Sequence, residues 1–347
     1  MNRQLLSAVI KTHSFLADLL SPQQVISLAK AESAETFIQQ LSKTPYAQML
    51  PTSEINSNVL ETVFHQVFLN RIVTIWNMVP TTMAQFIQTY YMKIEVFNLK
   101  RIIQGKFHEA SPYQIKDSLL LSALPPSAFY HNLVNLQSLD EVISSIEKYQ
   151  FPLPSQYIEL YHQCGEVWPL ELVLDQHYAT VVRKAIQTLP KAVRDFAIKI
   201  AGVEIDVNTC LFSVSHKGIL RKHTLGIELQ DLFSAPFHIP FNHITEIIES
   251  DNIKTVIDNL PRPYAQILAP LYQSNALQVL VKLRQYLYEE ARRRRMLNDF
   301  NFNVIFAYLV FCEIERYNLV SLAVNQTQQV ASDDEMQYIV LPDDLAS

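Results

Sequence analysis

An all-α fold is predicted for this chain of 347 residues, on three observations. Only 5 residues are glycine, too few for the positive-φ turns of a hairpin-rich sandwich or barrel. Helix-start signals recur along the chain. Apolar residues recur at steps of three and four, while the alternation expected of strands is weak. Taken in order, Ser21-Pro22-Gln23-Gln24 reads as a capping box with proline at the first helical position, where its missing N–H costs nothing. Thr44-Pro45 reads as another helix start. Leu60 to Gln104 contains no glycine and one proline, Pro80, so long helices broken there are expected. Ser138-Leu139-Asp140-Glu141 is a second capping box, followed by Val142, Ile143 and Ile146 on one face. Val203 to Val207 is β-branched, but its neighbours read as helix. Ala276, Leu280, Leu283 and Leu287 form an amphipathic stripe. Typical helix and loop lengths then give about fifteen helices.

Composition bounds the function. Hydrophobic residues make up 49% and charged residues 18%, the balance of a chain that buries a core. The net charge of −6 argues against a nucleic-acid binder. Cys164, Cys210 and Cys312 lie far apart, which fits reduced, buried thiols. Near the start, Lys11, Thr12 and His13 interrupt any run that could serve as a signal-peptide core. The most apolar stretch, Val304 to Cys312, is short of the roughly 20 residues of a transmembrane helix. Membrane association is therefore expected through a partner or at the surface.

The most informative pattern is a weak threefold repeat. Lys93-Ile94-Glu95-Val96-Phe97-Asn98-Leu99, Glu204-Ile205-Asp206-Val207-Asn208-Thr209-Cys210 and Glu313-Ile314-Glu315-Arg316-Tyr317-Asn318-Leu319 share a polar residue, isoleucine, an acid and a polar residue three further on. The acids Glu95, Asp206 and Glu315 lie 111 and 109 residues apart. Independently, Thr44-Pro45-Tyr46-Ala47-Gln48-Met49-Leu50 recurs as Arg262-Pro263-Tyr264-Ala265-Gln266-Ile267-Leu268, 218 residues on. Leu139 to Tyr149 is a degraded middle copy. A period near 110 predicts three helical-bundle units, 1–111, 112–222 and 223–347, the last with an acidic C-terminal tail.

These motifs resemble the C subunit of V-type and archaeal rotary ATPases, equivalent to eukaryotic subunit d. The first unit is similar through Leu41…Thr44-Pro45-Tyr46 and Glu95-x-x-Asn98-Leu99. The second is similar through Glu204-Ile205-Asp206, with Thr209 where the family has asparagine, and the third through Glu315-x-x-Asn318-Leu319. The resemblance spans about residues 4 to 340 and implies a mechanical role. Three units would form a funnel whose wide end sits on the cytoplasmic face of the proteolipid ring and whose socket receives the central stalk. One copy per complex would pass ATP-driven rotation to the ring that carries protons or sodium ions. The chain itself would be peripheral, without cofactor and without catalysis.

The residues agree with a non-enzymatic reading. No Gly-x-x-x-x-Gly-Lys-Ser/Thr loop and no Gly-x-Ser-x-Gly elbow occur. His238 and His243 are five apart across a proline-containing segment, not a helical two-histidine metal spacing. Glu95, Asp206 and Glu315 could be read as acid–base catalysts. Recurrence in each unit, with Asn98, Thr209 and Asn318 on the same helix face, reads better as a structural bond made three times. Arg292-Arg293-Arg294-Arg295 is the strong charge run. It reads either as a solvated helix end paired with Glu289 and Glu290 four residues back, or as a basic patch meeting an acidic stalk surface or anionic head groups. The alternative class is a helical protein–protein adaptor or effector. Its repeats would run roughly 30 to 50 residues, and none is found.

Overall fold

The computed structural model describes residues 3–51, 56–120, 127–148, 151–221, 228–233, 236–297, 300–328 and 336–342. Among them the regular elements are helices and there are no strands. The all-α expectation holds, with eighteen α-helices among the described residues against about fifteen expected. Seven of the eighteen reach 13 residues or more: α1 (Arg3–Phe15), α2 (Ser57–Met78), α3 (Thr81–Phe107), α4 (Trp168–Thr188), α5 (Val203–Leu220), α6 (Ala276–Met296) and α7 (Phe302–Gln328). Tyr149, at the end of the degraded middle copy, lies outside the described residues. So do Asp333, Asp334, Glu335, Asp343 and Asp344 of the acidic tail.

Local chemistry sets many of the boundaries. Ser21 and Gln24 form the expected reciprocal box, and Ser111 and Gln114 form another. At Ser138 the box is half made. Its hydroxyl accepts from the Glu141 N–H at 3.2 Å, while the Glu141 carboxylate reaches one residue further back, to the Gln137 N–H at 2.8 Å. The break near Pro80 is present: α2 ends at Met78 and α3 begins at Thr81. The β-branched run from Val203 is helical, and a five-residue π turn, Ile198–Gly202, precedes it.

The fold divides into two compact units, each drawn from separated stretches of chain. Unit 1 holds residues 1–83, 191–200 and 252–347, and unit 2 holds 84–190 and 201–251. Each therefore takes residues from all three of the stretches 1–111, 112–222 and 223–347.

In unit 1, α7 is the central element. Residues 302–316 are buried without interruption; Val304 to Cys312 is apolar on every face, as a buried helix should be, and Glu313, Glu315 and Arg316 follow as buried charges. The helix packs against α1, α2, α6 and the helices Pro22–Ala29, Ala34–Leu41 and Lys191–Ala197. Val304 to Cys312 is thus core. No helix among the described residues is long and apolar enough to cross a membrane. The predicted stripe on α6 is correct at Leu283 and Leu287, which are buried, while Ala276 at the helix start is exposed.

In unit 2, α5 packs on the helix Phe241–Glu249, and α4 on Ser155–Cys164. α3 buries Phe86, Ile87, Tyr90, Tyr91, Leu99 and Ile102. Near its end, a Cβ placed on Gly105 would lie 2.5 Å from Ile115. The absence of a side chain there is what lets the Pro112–Asp117 helix close against α3.

Candidate functional site

Four of the six repeated motif residues, Asn98, Asp206, Glu315 and Asn318, occupy buried points where the long helices seize other segments. Asn98 on α3 is 1% exposed and Asn318 on α7 is 4% exposed. Each grips one residue 22 positions further along the chain. The Asn98 carbonyl oxygen accepts the Leu120 N–H at 2.9 Å, and its amide donates to the Leu120 carbonyl at 2.8 Å. Asn318 does the same to Val340, at 2.9 Å in both directions. A side-chain amide presents the same donor–acceptor pair as a peptide, so it can complete the hydrogen bonding of an irregular segment that has no ladder of its own.

Asp206 on α5 performs the corresponding task with different chemistry. It is fully buried, and its carboxylate accepts the successive N–H groups of Phe237, His238 and Ile239 at 2.7, 2.8 and 3.3 Å. Three converging N–H dipoles make a concave site suited to an anion. A Cβ on Gly202 would lie 3.0 Å from the Phe237 ring, and the Arg183 guanidinium sits 4.0 Å above that ring. The pinned segment is thus clasped from two sides. Thr209 makes no comparable grip, and its hydroxyl donates to Ile205 within its own helix at 3.0 Å. The residue of α5 that pins backbone therefore stands three positions before the one aligned with Asn98 and Asn318.

Glu315 on α7 is met by two side chains as well as by backbone. Its carboxylate accepts the Leu20 N–H at 2.5 Å, the Tyr46 hydroxyl at 2.7 Å and Arg71 Nη1 at 2.6 Å. Arg71 Nη2 also donates to the Asp18 carbonyl at 3.2 Å. The Thr44-Pro45-Tyr46 element explains the tyrosine's aim. The Thr44 hydroxyl donates to the Leu41 carbonyl at 2.6 Å and accepts the Tyr46 N–H at 3.2 Å, setting a tight turn that drives Tyr46 inward onto the edge of Phe64. Burial, and then the Glu315 charge, hold the Tyr46 phenol well above its ordinary range. Tyr264 of the second copy is likewise buried.

Glu95 holds the same motif position but a different environment. It is partly buried, and among the described residues no hydrogen bond or ion pair reaches its carboxyl. Burial pushes that carboxyl up to about 7. Two residues earlier in the motif, the first two copies meet directly. Lys93 pairs with Glu204 at 2.8 Å, the Tyr90 hydroxyl donates to the same carboxylate at 2.8 Å, and the Lys93 ammonium lies 4.1 Å from the Tyr90 ring centre.

Of the motif acids, Glu315 belongs to unit 1, and Glu95 and Asp206 to unit 2. Among the described residues no group of three or more His, Cys, Asp or Glu is placed to hold a metal ion. Arg292 to Arg295 close α6 in unit 1. Glu289 pairs with Arg292 at 3.6 Å and Glu290 with Arg293 at 2.6 Å, each three residues on. Glu290 is also met by Lys199 at 3.4 Å.

Arg71 is the functional-site residue that sequence reasoning missed. Its signal was present: α2 is largely apolar over 22 residues and carries no other arginine or lysine, and a buried cation of that kind needs a buried acid.

Three known proteins similar to this chain are each named as the C subunit of an A-type ATP synthase. The one from Methanocaldococcus jannaschii is 20% identical over 338 residues, covering 93% of this chain and 83% of the relative. The one from Thermoplasma volcanium is 23% identical, covering 74% of each. That from Thermoplasma acidophilum is 21% identical, covering 76% of each. The profile of the family described as ATP synthase (C/AC39) subunit matches residues 9–338. That span takes in all three copies of the acid motif and both Pro-Tyr elements, and the chain belongs to the ATP synthase (C/AC39) subunit family.

Proposed function

We propose that the chain is the non-catalytic central-stalk connector of a V-type or A-type rotary ATPase, joining the rotor stalk to the membrane proteolipid ring. The observation that carries this reading is the family match over residues 9–338, nearly the whole chain. In the proposal three pseudo-repeated helical units form a funnel, one copy per complex, on the cytoplasmic face of the membrane. Membrane contact in this reading is indirect, through the ring. The chain passes on torque that drives proton or sodium transport and performs no chemistry of its own.

The pinned helices support a mechanical role. A torque transmitter must resist sliding of one helix along another, and non-directional apolar contacts oppose sliding weakly. Directional bonds at Asn98, Asp206, Glu315 and Asn318 fix the axial register of α3, α5 and α7, because fully satisfied buried polar networks specify one arrangement. These residues are accordingly structural in this reading.

The test is purification of the tagged chain from its native membranes in mild detergent, with mass spectrometry of what accompanies it. The expected companions are a proteolipid and stalk subunits, together with ATPase activity. A chain recovered alone, from cells that contain such an ATPase, would contradict the connector reading and favour a helical adaptor.

A further inference from the structure

Unit 1 contains a cavity of about 470 Å³ beneath the arginine run. Its walls are largely apolar, with Leu19, Val25, Phe311 and Ile314 among them, and Arg292 and Arg295 belong to its lining. Of the polar side chains there, Glu315 is engaged by Arg71, Tyr46 and Leu20 and Asn318 by Val340, while Arg292 pairs with Glu289 at 3.6 Å, a rim contact that a head group would share. The volume lies within the roughly 300–1,000 Å³ typical of small-molecule sites.

A second observation falls at the same end. Directly after the arginines, Met296 and Leu297 are 72% and 61% exposed, and Phe300 is 57% exposed. The Phe300 ring meets His13 of α1, one turn beyond Ile10, which is itself 55% exposed. Half of the eight exposed large hydrophobic residues in the described chain therefore cluster here. Protruding apolar side chains beside arginines match the chemistry of a membrane interface, where the chain stems and apolar tips enter the boundary and the cations meet head groups.

We infer that this end of unit 1 binds an anionic lipid, with an acyl chain in the apolar cavity and the head group on Arg292 and Arg295. Charge selects the ligand class: a zwitterionic lipid gains little from two guanidiniums, whereas a phosphatidylglycerol or a fatty acid presents the oxygens that they bind in pairs. The inference is independent of the connector reading, since the isolated chain suffices for it.

The experiment is co-sedimentation of the purified full-length chain with phosphatidylcholine vesicles and with vesicles also containing phosphatidylglycerol. Binding is expected to the anionic vesicles only. Arg292→Gln/Arg295→Gln should weaken it about 25-fold, from roughly fivefold per arginine lost. Met296→Ser/Leu297→Ser should weaken it about tenfold while leaving the melting temperature unchanged, because both side chains are already in solvent. Lipid extracted from the washed complex should be enriched in the anionic species. Equal binding to both vesicle types, or an unchanged affinity in the arginine variant, would overturn the inference. Inorganic phosphate raising the melting temperature as much as lyso-phosphatidylglycerol would reveal a bare anion site and overturn it equally.

Discussion

Glu95 and Glu315 stand at the same position of the same motif, each three residues before an asparagine that grips a backbone segment 22 residues on. Around Glu315 the chain assembles an arginine, a tyrosine hydroxyl and a backbone N–H. Around Glu95, among the described residues, it assembles burial without a hydrogen-bond or ion-pair partner, and the carboxyl rises to about 7. The asparagines kept their job while the acids diverged. An amide clamp needs only a nearby peptide, which any following segment supplies. A buried carboxylate needs a cation or several converging N–H groups of its own, and Arg71 serves Glu315 alone among the motif acids. A repeated sequence motif therefore does not imply a repeated energy.

The difference can be broken at its strongest point first. Arg71→Ala leaves Glu315 buried without its cation and should cost about 3–5 kcal/mol in denaturant unfolding. Replacing Glu315 with leucine in that background should recover much of the loss. At Glu95 the sign is opposite. A carboxyl raised in the folded state contributes stability that is full below the unfolded value near 4.5 and is lost as pH rises through about 7. The gap corresponds to up to about 3 kcal/mol. Glu95→Gln should therefore stabilise the protein at pH 8, have little effect near pH 4, and flatten the profile between them in melts across pH.

Asn98→Ala and Asn318→Ala each strand one N–H and one carbonyl, at about 2 kcal/mol. The two losses should agree within about 0.5 kcal/mol if the clamps are equivalent, and unequal losses would break the parallel. Thr209→Ala removes only a bond within its own helix and should shift stability by less than about 0.5 kcal/mol.

What the sequence made legible was local. The box at Ser21, the break at Pro80 and the helix through Val203 depend on residues within a turn or two, and each is present. The motif residues were also legible as a type, because burial of a polar group leaves a recurring polar position inside apolar surroundings. Their partners were not. Leu20, Tyr46 and Arg71 lie 295, 269 and 244 residues from Glu315, and Glu204 lies 111 from Lys93. No periodicity encodes the first three distances, while the fourth is one repeat period, the same 111 that separates Glu95 from Asp206. Alignment by residue type placed Asp206 beside the two glutamates, yet its three N–H bonds make it the counterpart of the asparagines one turn along. Acid and amide can both pin backbone, so residue type alone could not fix that register. The arginine run shows the same limit on a smaller scale, since i,i+3 and i,i+4 partners are both within reach on a helix.

The connector reading makes its most direct claim about coupling. In native membranes depleted of this chain, ATP hydrolysis and ATP-driven ion uptake should be measured side by side. The account predicts that hydrolysis continues while the ion gradient disappears, and that adding the purified chain restores the gradient. A gradient undiminished by depletion would contradict it.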